Sequence, residues 1–473
     1  MWRILLTLML IAGPTSAMAE ILTYTHTVRQ PFSGSQSPDD ALTAAVAKAK
    51  REVLEKAGTY IDSIKVVKDH QLVQNQILAL SSALLKAEVV SQRNYTNGEA
   101  FGVEIEARVC VDTGTLEDRI KKFLQDRSSL EKAEKLELRE RELLAKISEL
   151  EQRNRQLERG TAPAVRKKSF RKELSKKYRE AVTRLTAIEA NRKALELWDG
   201  SRFVDSERAL TLLNQAIRKD DRFADAFNNR GIVQGQLGKW QEAINNYDMA
   251  IRLEPGLAEA YLNRGSAYAN LGRTETAIVD LTRAIQLNPR QATALYDRGT
   301  ALSKLGRYQE AIEDFNAAAA LTPCNAAIYY NRGNVYVELG DYLKAIKNFD
   351  EAIKADPTNA AFFFNRGVAY ANLGHFDRSL ADLDQAISLD PKDVTAFLNR
   401  GLALFKAEQY KKAISDFDYV LHFRNNEGRA LKYRGLCYLM LGDTRQFCAD
   451  LALACKVGDC GDLEKARSDG YCK

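Results

Sequence analysis

The triplet Asn-Arg-Gly, or a close relative, returns with its glycine at Gly231, Gly265, Gly299, Gly333, Gly367, Gly401 and Gly435, each 34 residues after the last. A second glycine follows at Gly238, Gly272, Gly306, Gly340, Gly374 and Gly442, and prolines close the unit at Pro255, Pro289, Pro323, Pro357 and Pro391. A repeat this short is one supersecondary unit, which buries its apolar face only by stacking on its neighbours. Apolar residues recur at helical spacing in Tyr329, Tyr330, Tyr336 and Val337, and again in Tyr342, Ala345, Ile346, Phe349, Ala352 and Ile353. The second glycine stands where a first helix must end and the proline where a second must stop, so the unit reads helix, turn, helix. Alanines such as Ala345 and Ala352 let the two helices approach, while Tyr247, Leu281, Phe315, Phe349, Leu383 and Phe417 fill the space between them.

Period, glycines, alanines, central aromatic and proline together resemble the tetratricopeptide repeat family over residues 224–461, in seven units. Residues 190–223 resemble an eighth, degenerate unit that keeps Ala209 and Ala216 but has Leu197 for the glycine and Asp221 for the proline. The resemblance implies a mainly α fold, with a superhelical solenoid over 190–461 whose first helices line a concave groove for a peptide or protein segment. Departures such as Glu408, Val420, Asn425 and Phe447 gather toward the far end, as terminal repeats allow.

With the Asn-Arg-Gly glycine at position 8 of each unit, position 5 carries Leu262, Tyr296, Tyr330, Phe364 and Leu398, flanked by Asn228 and Lys432. Position 6 carries Asn263, Asn331, Asn365 and Asn399, with Asp297 in the third unit, and position 9 includes Ser266, Thr300, Asn334, Val368 and Leu402. These form the candidate groove: an apolar stripe with amides and hydroxyls for a ligand backbone. Members of the family that grip a C-terminal carboxylate need lysine or arginine from both positions 2 and 5. Glu259, Thr293, Ala327, Ala361 and Thr395 at position 2 rule that clamp out. The asparagines either contact ligand or bond main chain locally. Position 7 is arginine from Arg230 to Arg434, and Asp280, Asp314, Asp382 and Asp416 at position 23 predict an ion pair inside each repeat.

Upstream, Arg3, an apolar run from Ile4 to Ala12 and the small-x-small site Ala17-Met18-Ala19 predict a cleaved signal peptide over 1–19 and a periplasmic or secreted, bacterial chain. Residues 20–114 read as a small α+β domain: a strand at Leu22 to Arg29, a helix capped by Ser37 and stopping at Gly58, a strand at Tyr60 to Val67, a helix at Gln71 to Lys86, then a hairpin across Asn97-Gly98. This order resembles the N-terminal domain of the flagellar assembly protein T family, which implies assembly at the envelope. Residues 115–159 read as a coiled coil, with Leu136, Leu143, Leu150 and Leu157 spaced by sevens and Ala133, Glu140, Ile147 and Asn154 between them. They predict either a parallel homodimer through 133–157 or a helix lying along its own chain. Residues 160–189 read as a basic helical linker, a solvated face or a peripheral contact with anionic membrane.

Seven cysteines suit an oxidising compartment. Cys437, Cys448, Cys455, Cys460 and Cys472 crowd the end of the solenoid and the tail at 462–473. The spacing allows Cys437 to reach Cys448 or Cys455 and Cys460 to close a small loop with Cys472, and leaves the connectivity open. The 69 basic and 63 acidic residues give a mixed surface with no case for nucleic acid, and no transmembrane segment, metal site or cofactor site is expected. The four scattered histidines and the absence of a phosphate-binding loop or nucleophile elbow argue against an enzyme. The reading is an exported interaction scaffold in envelope assembly. The rival is a repeat-bearing envelope enzyme or accessory subunit active through its N-terminal domain.

Overall fold

The computed structural model describes residues 21–32, 37–63, 76–77, 80–81, 85, 87–97, 100–112, 120, 127–159, 164–199, 202–458 and 460–472. They form two compact bodies, one ending at Pro255 and one beginning at Gly256. The signal-peptide reading over 1–19 lies outside the described residues.

In the first body, β1 (Ile21–Phe32), β2 (Ala87–Asn97) and β3 (Ala100–Asp112) make an antiparallel sheet in the order β1-β3-β2. Alternate β3 residues Val103, Ile105, Ala107 and Val109 are buried, as period-two pleating requires for one covered face. The cover is α1 (Pro38–Ser63), whose Ala45, Ala49, Val53, Ala57 and Ile61 recur every four residues and join the same core. Ser37 caps it by accepting from the Asp40 amide at 3.1 Å. The expected stop at Gly58 and strand from Tyr60 are corrected: the helix runs to Ser63 because Ile61 prolongs its apolar face. Gly58 serves close packing instead, since a side chain there would meet Ser81 Oγ at 3.3 Å.

The heptad segment is α2 (Arg127–Arg159), and the expected linker is α3 (Ala164–Leu195). They pair within the chain: Ile147 and Leu150 are buried against Leu174, Tyr178, Ala181 and Leu185. Tyr178 donates to Glu151 at 3.3 Å, and Arg192 binds Glu140, so the helices run antiparallel. Of the two expected readings, the structure has the helix lying along its own chain, with α3 packed on the seam through 133–157. Tethering makes that contact at high effective concentration, and Arg192 supplies the countercharge that Glu140 would lack in a symmetric dimer. The expected basic helical linker is a helix whose one face joins the core. Beyond it, α4 (Ser206–Lys219) buries Ala209, Leu213 and Ala216, and α5 (Ala224–Gln236) with α6 (Trp240–Leu253) forms the first clear repeat. Helix α2 is tied to that repeat by Lys135–Glu254 and Arg139–Asp225, both at 2.6 Å.

The second body continues the pairs: α7 (Ala258–Asn270) with α8 (Thr274–Leu287), α9 (Ala292–Lys304) with α10 (Tyr308–Leu321), and α11 (Ala326–Glu338) with α12 (Tyr342–Ala355). Then come α13 (Ala360–Asn372) with α14 (Phe376–Leu389), α15 (Val394–Lys406) with α16 (Tyr410–Phe423), and α17 (Gly428–Met440) with α18 (Thr444–Lys456). In every pair but the last the position 8 glycine meets the central aromatic or leucine, and Gly435 instead faces Asp450 and Phe447. A Cβ on Gly333 would fall 2.6 Å from Phe349, a clash that shows why no side chain stands there.

The predicted ion pair is present in five units as a two-pronged fork, on Asp280, Asp314, Asp382, Asp416 and Asp450. In the other two, Arg230 and Arg332 bind Asn246 and Asn348. The remaining guanidinium nitrogen reaches the preceding unit, which the sequence reading missed: Arg366 holds Asp382 at 2.8 and 2.7 Å and also Asp350 at 2.6 Å. Its hydrogen bonds to Asp382, reinforced by Asp350, raise its pKa above the ordinary arginine value. Its guanidinium lies over the Phe363 ring, and those of Arg332 and Arg400 lie likewise over Tyr329 and Phe397.

A short final helix, α19 (Gly461–Ser468), begins where another unit would start and packs Leu463 and Ala466 on Phe447 and Leu451. It brings Cys472 onto Cys448, with Cα atoms 5.5 Å apart, while Cys455 meets Cys460 at 4.0 Å. The pairings that the spacing allowed do not form, because Cys437 is buried and unpaired among Phe417, Val420 and Ala430.

Two changes test these contacts by chemical denaturation. Arg366→Met strands a buried carboxylate and should cost about 3–5 kcal/mol, whereas Asp382→Asn, which copies Asn348, should cost about 1 kcal/mol. Glu408 has φ of 59° where other units place glycine; Glu408→Gly should raise stability by on the order of 0.5 kcal/mol, strain relief outweighing the added unfolded-state entropy.

Candidate peptide-binding groove

First helices of successive units approach one another directly in the second body: α7 with α9, α9 with α11, α11 with α13, α13 with α15 and α15 with α17. Second helices make no approach of comparable extent among the described residues, so the stack curves with its first helices on the inner side. Positions 5, 6 and 9 project from this inner layer.

Of the predicted stripe, Tyr296, Tyr330 and Phe364 remain partly exposed. Leu262 and Leu398 do not line the surface, since both are buried in the cores between helices. Tyr330 packs against Phe349 of its own unit and Phe362 of the next, at centroid distances of 6.1 and 5.0 Å. Its hydroxyl accepts from Asn365 Nδ2 at 2.8 Å, and one unit earlier Tyr296 accepts from Asn331 at 2.7 Å. Each bond links position 5 of one unit to position 6 of the next. Asn331 and Asn365 therefore neither wait for ligand nor cap local main chain. Only where position 5 lacks a hydroxyl does the partner change: after Phe364, Asn399 turns back to the Thr395 carbonyl at 2.9 Å. After Leu262, position 6 is Asp297, which accepts from Ser266 at 2.6 Å. The sequence carried this signal as a tyrosine followed by an asparagine 35 residues later.

The groove floor is thus preorganised by hydrogen bonds between repeats, with aromatic edges, Asn334 and Val368 left partly exposed. The Asn334 side chain has no partner among the described residues. At the far end Lys432 pairs with Asp462 of α19 at 2.5 Å, which uses up a cation that would otherwise face the groove. Burial pushes the Asp297 carboxyl above the ordinary carboxylate range, opposed by the Ser266 hydroxyl.

Residues 235–272, 299–340 and 333–374 match the family described as TPR repeat, and 258–291, 281–313 and 369–430 match families described as tetratricopeptide repeat. Residues 235–430 are tetratricopeptide repeats. No curated protein sequence matches the chain. Among solved structures, MamA is 27% identical over 35% of this chain and 96% of its own, with a TM-score of 0.33. YrrB, described as a TPR protein with an unusual peptide-binding site, is 24% identical over 39% of this chain and 95% of its own, at 0.35. PilF of Pseudomonas aeruginosa is 16% identical over 45% and 97%, at 0.41. The tetratricopeptide region is a protein-interaction scaffold.

Because the Asp297 pKa is raised on folding, its ionised form opposes the fold at neutral pH, and that penalty disappears as pH falls through the folded value. Asp297→Asn should therefore raise the melting temperature at pH 7, and the gain should shrink toward zero in acid below the carboxylate range. An equal gain at both pH values would assign it to something other than ionisation.

Proposed function

We propose that this chain is an exported scaffold that holds an uncharged, apolar segment of another protein along its tetratricopeptide first helices, in assembly at the cell envelope. The observation that carries the reading is the row Tyr296, Tyr330 and Phe364, partly exposed, with Asn334 and Val368 one turn along their helices and no lysine or arginine at positions 2 and 5 of these units. Such a surface gains by covering aromatic area and satisfying a ligand's main chain, and offers little to a carboxylate. Export rests on the signal-like residues 1–19, and the envelope role on the resemblance of residues 20–114 to the flagellar assembly protein T domain. The juxtaposed pairs Cys448–Cys472 and Cys455–Cys460 fit an oxidising compartment.

Tyr296 and Tyr330 also join repeats, so alanine there would disturb the stack as well as the surface. Asn334→Glu with Val368→Glu is the cleaner probe. The double variant should melt as the wild type does and lose capture of the envelope protein that the wild type retains. Capture at undiminished strength would move the binding surface off the first helices. Recovery of a chain beginning at Glu20 from the periplasmic fraction would support export; a retained Met1 would remove it.

A further inference from the structure

The chain's net charge of +6 is concentrated in one element. Helix α3 holds eleven lysines and arginines against Glu173, Glu180 and Glu189, a net +8, so the rest of the chain is slightly acidic. Seven of those cations precede Tyr178, in the half of α3 nearest the α2–α3 connection. Lys168, Lys172 and Lys176 recur every four residues and form one row, away from Leu174, Tyr178 and Val182, which are buried. All three are exposed, and none has a hydrogen-bond or ion-pair partner among the described residues. Neighbouring cations are paired: Lys177 with Glu173 at 2.7 Å and Arg179 with Asp40 at 3.6 Å. Arg155, in the last turns of α2 at the same end of the hairpin, is also exposed and unpaired among the described residues.

We propose that this end of the α2–α3 hairpin docks on an anionic phospholipid surface, with Lys168, Lys172 and Lys176 at the headgroup phosphates. A single straight row on a helix meets a plane along its length, whereas a folded acidic partner would be expected to meet cations around a concavity. Unpaired lysines suit a fluid array of monovalent anions, which needs no fixed geometry. No described helix is long and apolar enough to cross a membrane, so the contact is peripheral. The inference does not depend on the groove.

The test is co-sedimentation of the full chain with vesicles of phosphatidylcholine alone and of phosphatidylcholine mixed with phosphatidylglycerol. The wild type should sediment with the mixed vesicles only, less so as salt rises. The K168E/K172E/K176E variant should lose that binding by at least about tenfold, and the milder K168Q/K172Q/K176Q variant by less, both with unchanged helicity and melting. Arginine at all three positions should preserve binding. A wild type that stays in the supernatant, or glutamate and glutamine variants that sediment equally well, would overturn the proposal. So would capture of a single-stranded oligonucleotide or polyglutamate under conditions where the vesicles are ignored, which would assign the row to a soluble polyanion.

Discussion

The arginine at position 7 of each repeat joins three structural elements at once. It rises from a first helix, forks onto position 23 of its own second helix, and in most units reaches position 25 of the preceding unit's second helix, as Arg298 does with Asp314 and Thr282 and Arg400 with Asp416 and Asp384. A buried pair of this kind contributes little net stability over a well-packed apolar substitute, yet it is costly to break on one side. Its value lies in geometry: the planar fork accepts one mutual arrangement of the helices, and repetition of that arrangement propagates the stack.

The inner surface inherits its order from that stacking. Once units are held at a constant offset, Tyr296 and Tyr330 come within reach of Asn331 and Asn365 one unit on, and the aromatic rings are fixed at their hydroxyl ends while their edges stay accessible. Preorganisation lowers the entropy lost when a ligand is bound, so a modest exposed area can serve as a binding surface. The same bonds give these tyrosines a structural task in joining neighbouring repeats.

In the first body, α3 has two faces with different tasks. Its apolar arc, through Leu174, Tyr178, Ala181 and Leu185, fills the heptad seam of α2 and then contributes Ala187, Ile188 and Ala190 to the core that includes Ala216 and Phe223. Its opposite face carries cations that the fold leaves unpaired. Sequence periodicity detected the seam on α2 but could not choose its partner, because heptads describe an apolar stripe without saying which chain covers it.

How much was legible follows from the range of each interaction. The repeat period, helix boundaries, Arg–Asp forks and β-hairpin are set within one or two units by spacing, caps and side-chain chemistry, so they could be read directly from the residues. Gly58 misled because a glycine that ends a helix and one that admits a close neighbour look alike until Ser81 is in place. Cysteine pairing stayed open for a similar reason: α19 had to fold back before Cys472 could meet Cys448, leaving Cys437 enclosed in the core. The sequence by itself therefore determined the repeated helical pairs and the chemistry each presents. Tertiary structure alone decided which leucines of the stripe are buried, which tyrosines bridge neighbours and which helix fills the α2 seam, because those outcomes depend on contacts between segments that local pattern does not encode.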